Sequence, residues 1–362
     1  MIEQITRHAA NLEEYHILLR VRKPVHQITR RVSDTVVFTG VKGSNLPQYY
    51  LNVDRTSRIL HQRQCFDLVT TDNPFSSGIA GWIVAWRNKL PFGIQIHGEI
   101  LYNRRYAQLR RFGRALHALA IMMARRADAI RVVSKPQYER LLFHKFPVEK
   151  ITYLPCAIDT DFFKPPANAL GESHRKQVLF AGRLEKEKNP LVLLAIAREL
   201  KKRKSGLCIC VYGDGFYRSR IEQDAARENL PIDCFGTVRH TAIADALSNC
   251  LCVLLTSHTE GTPRIILEAF ASARPCVVSD AAGNRSVVSD GINGFCVPVD
   301  RADLFAERLM RFEANPKKAE AFGREGRKVV CDGYSLDALV PGYHAFYKKT
   351  LESFRRKRRL RH

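Results

Sequence analysis

Short apolar runs alternate along the chain with longer segments whose apolar residues recur every three or four positions. That is the pattern of strands and helices taking turns around a parallel sheet. In the first half it predicts strands at His16–Val21, Thr35–Phe38, Leu68–Thr71, Phe92–His97 and Ala129–Val133, and helices over Gly78–Asn88 and Leu109–Arg126. The second half repeats the theme more clearly, with predicted strands at Gln177–Ala181, Cys208–Tyr212, Ile232–Phe235, Cys252–Leu255, Cys276–Val278 and Gly294–Val297. Helical periodicity fills the gaps over Pro190–Arg203, Arg218–Glu228, Thr241–Leu247 and Arg264–Ala273. The expected architecture is α/β, two doubly wound Rossmann-like units in succession.

Periodicity fails in Pro155–Lys176, where Pro155, Pro165, Pro166 and Gly171 interrupt it. The expected domains are therefore 1–165, 166–334 and a C-terminal amphipathic helix with a basic tail over 335–362. A doubly wound nucleotide domain normally opens on a buried strand and a glycine-rich turn. Here residues 1–12 read as a helix that leads directly into the first strand candidate. Gly40-Val41-Lys42-Gly43 follows a strand, but Ser44-Asn45-Leu46-Pro47 is not read as a helix start. The first domain is expected to lack its first strand and glycine loop, truncated at its front.

Composition narrows the class. The chain has 362 residues, 45% apolar and 26% charged, which is ordinary globular content and excludes a disordered or fibrous chain. No stretch approaches the ~20 apolar residues of a spanning helix. Met1-Ile2-Glu3-Gln4 lacks the basic-then-apolar order of a secretory signal, so a cytoplasmic placement is expected. The 10 cysteines occur singly or as Cys208-x-Cys210 and Cys250-x-Cys252 inside strand-like runs, with no C-x-x-C and no Cys/His cluster. They read as small buried hydrophobes in a reducing compartment, and no metal site is expected. Charge is the abnormal figure: 58 Lys and Arg against 36 acids leave +22, which calls for an anionic partner.

Two constellations carry chemistry. Thr256-Ser257-His258-Thr259-Glu260-Gly261-Thr262-Pro263 links a strand to a helix that begins Arg264-Ile265-Ile266-Leu267-Glu268. The amides of Gly261 and Thr262 precede a helix N-terminus, which favours an anion, while Glu260 and Glu268 offer strong acceptors to hydroxyls. A sugar nucleotide needs both. The other reading makes Glu260 a solvated loop acid and Glu268 a helix surface charge. The second constellation, Gly182-Arg183-Leu184-Glu185-Lys186-Glu187-Lys188-Asn189-Pro190, follows a strand at the end where ligands of open parallel sheets bind. Arg183 and Lys188 suit phosphate oxygens there, although either alone reads equally as a solvated loop cation.

These segments occur with Tyr212-Gly213-Asp214-Gly215, Phe235-Gly236-Thr237-Val238, Pro275-Cys276-Val277-Val278 and Asp290-Gly291-x-Asn293-Gly294, and in that order they resemble the family-4 glycosyltransferases of the GT-B fold. A weaker resemblance runs through Phe66–Phe75, Ile94-Gln95-Ile96-His97-Gly98, Ile130–Ser134 and Leu154-Pro155-x-x-Ile158-Asp159. The resemblance implies two Rossmann-like domains facing a cleft and a retaining, metal-independent hexosyl transfer with no cofactor beyond the nucleotide-sugar co-substrate. Arg183 and Lys188 would hold the diphosphate and stabilise it as leaving group. Glu268 would bind the ribose hydroxyls, and Glu260, with the amides of Gly261 and Thr262, would face the transferred sugar. His97 would act near the reacting carbon. Cys156-Ala157, Ala282 and Ser286 depart from the family's usual residues.

Segment 101–150 carries 12 Lys and Arg against 3 acids. Within it Leu109, Phe112, Leu116, Leu119 and Met123 form an apolar stripe edged by Arg110, Arg111, Arg114, Arg125 and Arg126. With the run 355–361, this segment marks an anionic membrane surface as a partner, on the inner face of the cell membrane, beside a UDP- or GDP-linked donor and a glycan or lipid-linked acceptor. The stripe equally suits a helix packed on its own sheet. Three alternatives stay open. One is a nucleotide-sugar-binding protein impaired in transfer, another a GT-B isomerase. The third is a basic nucleic-acid-binding protein, for which no recognition motif is found.

Overall fold

The computed structural model describes residues 9, 12–21, 29–97, 101–102, 113–165, 176–261 and 263–359. The chain divides into two compact units, Met1–Pro155 with Leu339–His362, and Cys156–Ala338. The crossover thus falls at the start of the proline-rich segment, and the C-terminal helix returns to the first unit.

In the first unit β1 (Tyr15–Val21) pairs in parallel with β3 (Val36–Lys42), and β2 (Thr29–Arg31) runs antiparallel on the other side of β3. A second sheet orders β4 (Val69–Thr71), β5 (Phe92–Ile96), β6 (Ala129–Val132) and β7 (Ile151–Tyr153), all parallel. Between β3 and β4 lies α1 (Leu46–Gln64), which corrects the reading of Ser44–Pro47. The Asn45 side chain accepts from the Gln48 amide at 2.9 Å, and Pro47 sits in the first turn, where its missing N–H costs nothing. Next come α2 (Ser76–Asn88), α3 (Gly113–Arg126) and α4 (Lys135–Phe143). Residues 1–8 of the expected first helix, and residues 109–112 of the stripe, lie outside the described residues.

Strand alternation divides the second sheet of this unit into two buried faces. Ile94, Ile96, Ile130 and Val132 pack with Ala120, Met123 and Ala124 of α3. Met123 is therefore core, and of the two arginines that end α3, Arg125 lies over the Phe146 ring and Arg126 over Trp82. The opposite face meets α12 (Leu336–Arg359), through Phe346 and Tyr347 on Ala129. A Cβ on Gly93 would stand 3.0 Å from Phe346, so glycine lets this helix lie close. Arg131 is fully buried on the same face, donating to Gln95 Oε1 at 2.6 Å and to the carbonyls of Leu154 and Pro155, with the Tyr343 ring against it. Lys357 closes the helix onto Asp128 at 2.5 Å.

The second unit is a six-stranded parallel sheet: β8 (Gln177–Ala181), β9 (Cys208–Tyr212), β10 (Ile232–Gly236), β11 (Cys252–Leu255), β12 (Cys276–Ser279) and β13 (Gly294–Val297). Their order is β10-β9-β8-β11-β12-β13. One face packs Val178, Phe180 and Leu254 against α5 (Val192–Lys202), α6 (Arg218–Glu228) and α10 (Ala302–Ala314). The other packs Leu179, Val253 and Leu255 against α7 (His240–Ser248), α8 (Arg264–Ala271) and α11 (Pro316–Gly333), while the single-turn α9 (Ala282–Arg285) follows β12. Burial on both faces explains why the inner strands β11 and β12 read as apolar runs, while the edge strand β10 carries exposed Asp233 and Phe235.

Candidate active site

Strand order reverses between β8 and β11, and at such a switch point the loops leaving the two carboxyl ends part to leave a crevice. Both predicted constellations emerge there. After β8 the backbone turns at Gly182, whose amide donates to the Tyr212 carbonyl at 2.9 Å. Gly213 takes φ +141°, and a Cβ there would overlap the Gly182 carbonyl oxygen, so the loops after β8 and β9 meet only because this residue is glycine. A short 3₁₀ turn, Lys186–Lys188, ends in left-handed Asn189 and presents Lys188.

The loop after β11 is fastened on both sides. Thr256 Oγ1 donates to the Lys188 carbonyl at 2.9 Å and the His258 amide to the Glu187 carbonyl at 3.0 Å. On the other side Ser279 Oγ donates to the Ser257 carbonyl at 2.5 Å, and Asn284 in turn donates to Ser279. A Cβ on Gly283 would collide with the carbonyls of Glu260 and Gly261, which keeps α9 tight beneath them.

These restraints deliver Lys188 Nζ to Glu260 Oε1 at 2.6 Å. Their side chains are 20% and 10% exposed, so the pair is held away from bulk water. Arg183 is not drawn into it: its guanidinium is 68% exposed and bonds Glu187 at 2.5 Å. Glu268 is buried in α8 with a separate set of partners, His240 Nε2 at 3.3 Å and Arg264 Nε at 3.5 Å. His240, the first residue of α7, is stacked on Phe162 at 5.5 Å and meets the edge of Phe163 at 5.0 Å. It belongs to no motif, and only the fold places it on Glu268. Gly261 precedes α8 as expected, and Thr262 lies outside the described residues. His97 follows β5 in the first unit, at the carboxyl end of its strand, and is exposed.

The sequence also holds one Asp-x-Asp spacing, Asp159-Thr160-Asp161. Asp159 Oδ1 accepts from the amides of Asp161 and Phe162 at 3.1 and 2.9 Å, so this carboxylate shapes the turn that carries Phe162 and Phe163.

Fold and site together define a pair of Rossmann-like halves, the second carrying the Lys188–Glu260 pair on the loops at its switch point and Glu268 in the helix that follows. Residues 2–162 match the family model Glycosyltransferase Family 4, and residues 165–329 match Glycosyl transferases group 1. The chain belongs to these glycosyltransferases, of the GT-B fold.

Among curated relatives, it is 26% identical over 241 residues to the D-inositol 3-phosphate glycosyltransferase of Segniliparus rotundus, covering 62% of this chain and 53% of that protein. It is also 26% identical over 224 residues to a GDP-mannose-dependent phosphatidylinositol monomannoside mannosyltransferase of Mycolicibacterium smegmatis, covering 58% and 59%. The chain thus spans about half the length of the curated relatives it matches. Among solved structures, sucrose-phosphate synthase from Thermosynechococcus elongatus superposes with a TM-score of 0.80 at 19% identity, over 97% of this chain and 92% of that one. Anabaena HepE, solved with UDP and glucose, gives 0.76 at 16% identity over 96% and 95%.

Proposed function

We propose that this chain transfers a hexosyl group from a UDP- or GDP-linked sugar to a glycan or lipid-linked acceptor, with retention at the anomeric carbon and without a metal ion. The observation that carries the reading is the Lys188–Glu260 pair set beside Gly261 at the switch point, with Glu268 a short way into the following helix. Lys188 has three N–H donors, so it can keep Glu260 and still meet a phosphate oxygen. Arg183, on the same loop, adds a guanidinium fork for the diphosphate. In the reaction the bond between the anomeric carbon and the phosphate oxygen breaks, and the diphosphate leaves with the electron pair. The acceptor hydroxyl oxygen makes the new bond and its proton passes to the leaving phosphate or to solvent. The two cations stabilise the charge that develops on the diphosphate. Glu268 binds the ribose hydroxyls and Glu260 those of the transferred sugar. His97 is assigned to catalysis on its strand-end His-Gly context.

Exposed Arg355, Arg356, Arg358 and Arg359 at the end of α12 support contact with an anionic membrane surface, at ~1 kcal/mol per basic residue. We place the protein on the cytoplasmic face on that ground. The relatives lend no support to nucleic-acid binding.

The test is a thermal-shift panel of nucleotide sugars, followed by nucleoside diphosphate release and anomeric assignment of the product by NMR. UDP- or GDP-sugars should stabilise the wild type, Glu268→Ala and Arg183→Ala should abolish the shift, and His97→Ala should lower turnover with the shift retained. If no nucleotide sugar stabilises the wild type, the assignment of the sugar-donor site is wrong.

A further inference from the structure

We propose that Cys208, Cys210 and Asp233 form a binding site for a thiophilic divalent cation, zinc by the chemistry of the donor set. The site lies at the edge of the second unit's sheet. Residues two apart on a strand share a face, so β9 presents both thiols on one side. The parallel neighbour β10 sets Asp233 opposite Cys210, and β10 is the edge strand. The two Sγ atoms and a carboxylate oxygen all lie within 4.8 Å of one another, with Cys208 Sγ 3.3 Å from Asp233 Oδ2. Around a tetrahedral zinc with S and O ligands, ligand atoms stand about 3.5–3.8 Å apart. The group therefore needs only rotamer-scale adjustment to close on an ion.

Burial falls from Cys210, which is buried, through half-buried Cys208 to exposed Asp233. An ion can enter from the sheet edge and keep a water in the fourth position. The remaining strand cysteines differ. Among the described residues no other cysteine joins a group of three potential ligands; Cys250, Cys252 and Cys276 are buried, and burial pushes the Cys250 thiol up to about 12. Binding forms two metal–sulfur bonds and one metal–oxygen bond and releases both thiol protons to solvent, with no change of oxidation state. Cys208 lies at the amino end of β9, away from the carboxyl-end loops that carry Lys188 and Glu260.

The experiment titrates the full chain, reduced and metal-stripped, with Co²⁺ alone and then with Zn²⁺. A thiolate-to-cobalt charge-transfer band should saturate at one equivalent, disappear as zinc displaces cobalt, and be accompanied by release of about two protons per zinc. Cys208→Ser should cut the band roughly twofold, and Asp233→Asn should weaken binding at least about tenfold. Both positions are partly or fully exposed, so circular dichroism should show native folding. The double variant of the exposed cysteines elsewhere, Cys65→Ser/Cys331→Ser, should leave the band intact. Absence of a band at stoichiometric cobalt overturns the proposal, and so does a band whose intensity is unchanged in Cys208→Ser and whose cobalt affinity is unchanged in Asp233→Asn.

Discussion

Lys188 and Glu260, 72 residues apart in sequence, form a 2.6 Å ion pair that joins the loop after β8 to the loop after β11. The strands beneath them are neighbours at the point where the sheet reverses its order, so the pair spans the crevice mouth at its base. With both side chains largely shielded, removing one partner strands the other's charge. Lys188→Ala should therefore cost about 1–3 kcal/mol of stability in urea unfolding. Lys188→Ala/Glu260→Gln should cost less than the sum of the two single changes. Strict additivity in that cycle would show that the two groups do not interact.

His240 orients Glu268 through a single nitrogen while Phe162 and Phe163 fix its ring. His240→Ala should weaken UDP or GDP binding about tenfold, equivalent to ~1.4 kcal/mol. His240→Gln, which keeps an N–H donor toward the carboxylate, should recover most of it. Calorimetric titration of both variants decides: equal losses would mean that only the ring's packing matters.

What could be read from the sequence follows from how far each feature depends on distant residues. Strands β8 and β11 are legible because the centre of the sheet is buried on both faces, and Val178–Phe180 and Cys252–Leu255 are continuous apolar runs. The loops carrying Lys188, Glu260 and Glu268 are legible as residue spacings, but the Lys188–Glu260 bond itself needs the strand order. His240 on Glu268 and Arg131 under Tyr343 carry no local signal, since their partners come from elsewhere in the chain. The C-terminal helix shows its apolar stripe in sequence, yet a stripe does not say which sheet it will cover; Gly93 and Ala129 answer that. At Asn45 and Pro47 the capping signals are present, and the helix begins within Ser44–Pro47, a segment whose sequence alone is not read as a helix start.

Gly213 tests whether the crevice floor tolerates a side chain. At φ +141°, with the Gly182 carbonyl in the way, Gly213→Ala must move one loop or the other. The expected cost is roughly 1–3 kcal/mol, with a matching fall in the melting temperature. Because the loop after β8, against which Gly213 packs, presents Lys188, nucleotide affinity should fall with it. Unchanged melting and affinity would show that the two loops separate freely.

Glu228 provides the pH test. Its carboxylate takes two bonds from Arg198, at 2.6 and 2.7 Å, tying the end of α6 to α5. The Arg198 guanidinium holds Glu228 down from the usual 4.5 to about 2. A carboxylate depressed in the folded state binds its proton more readily when unfolded. Its stabilising contribution is therefore complete above about 4.5, shrinks as pH falls, and is gone below about 2. Glu228→Gln should accordingly be less stable than wild type at pH 7, by a margin that narrows across that window and is reduced by salt, since the pair is at the surface. Urea unfolding of both proteins from pH 7 down to the lowest pH at which they stay folded measures the margin. A constant margin down to pH 3 would mean that the Arg198 pair does not shift this carboxyl.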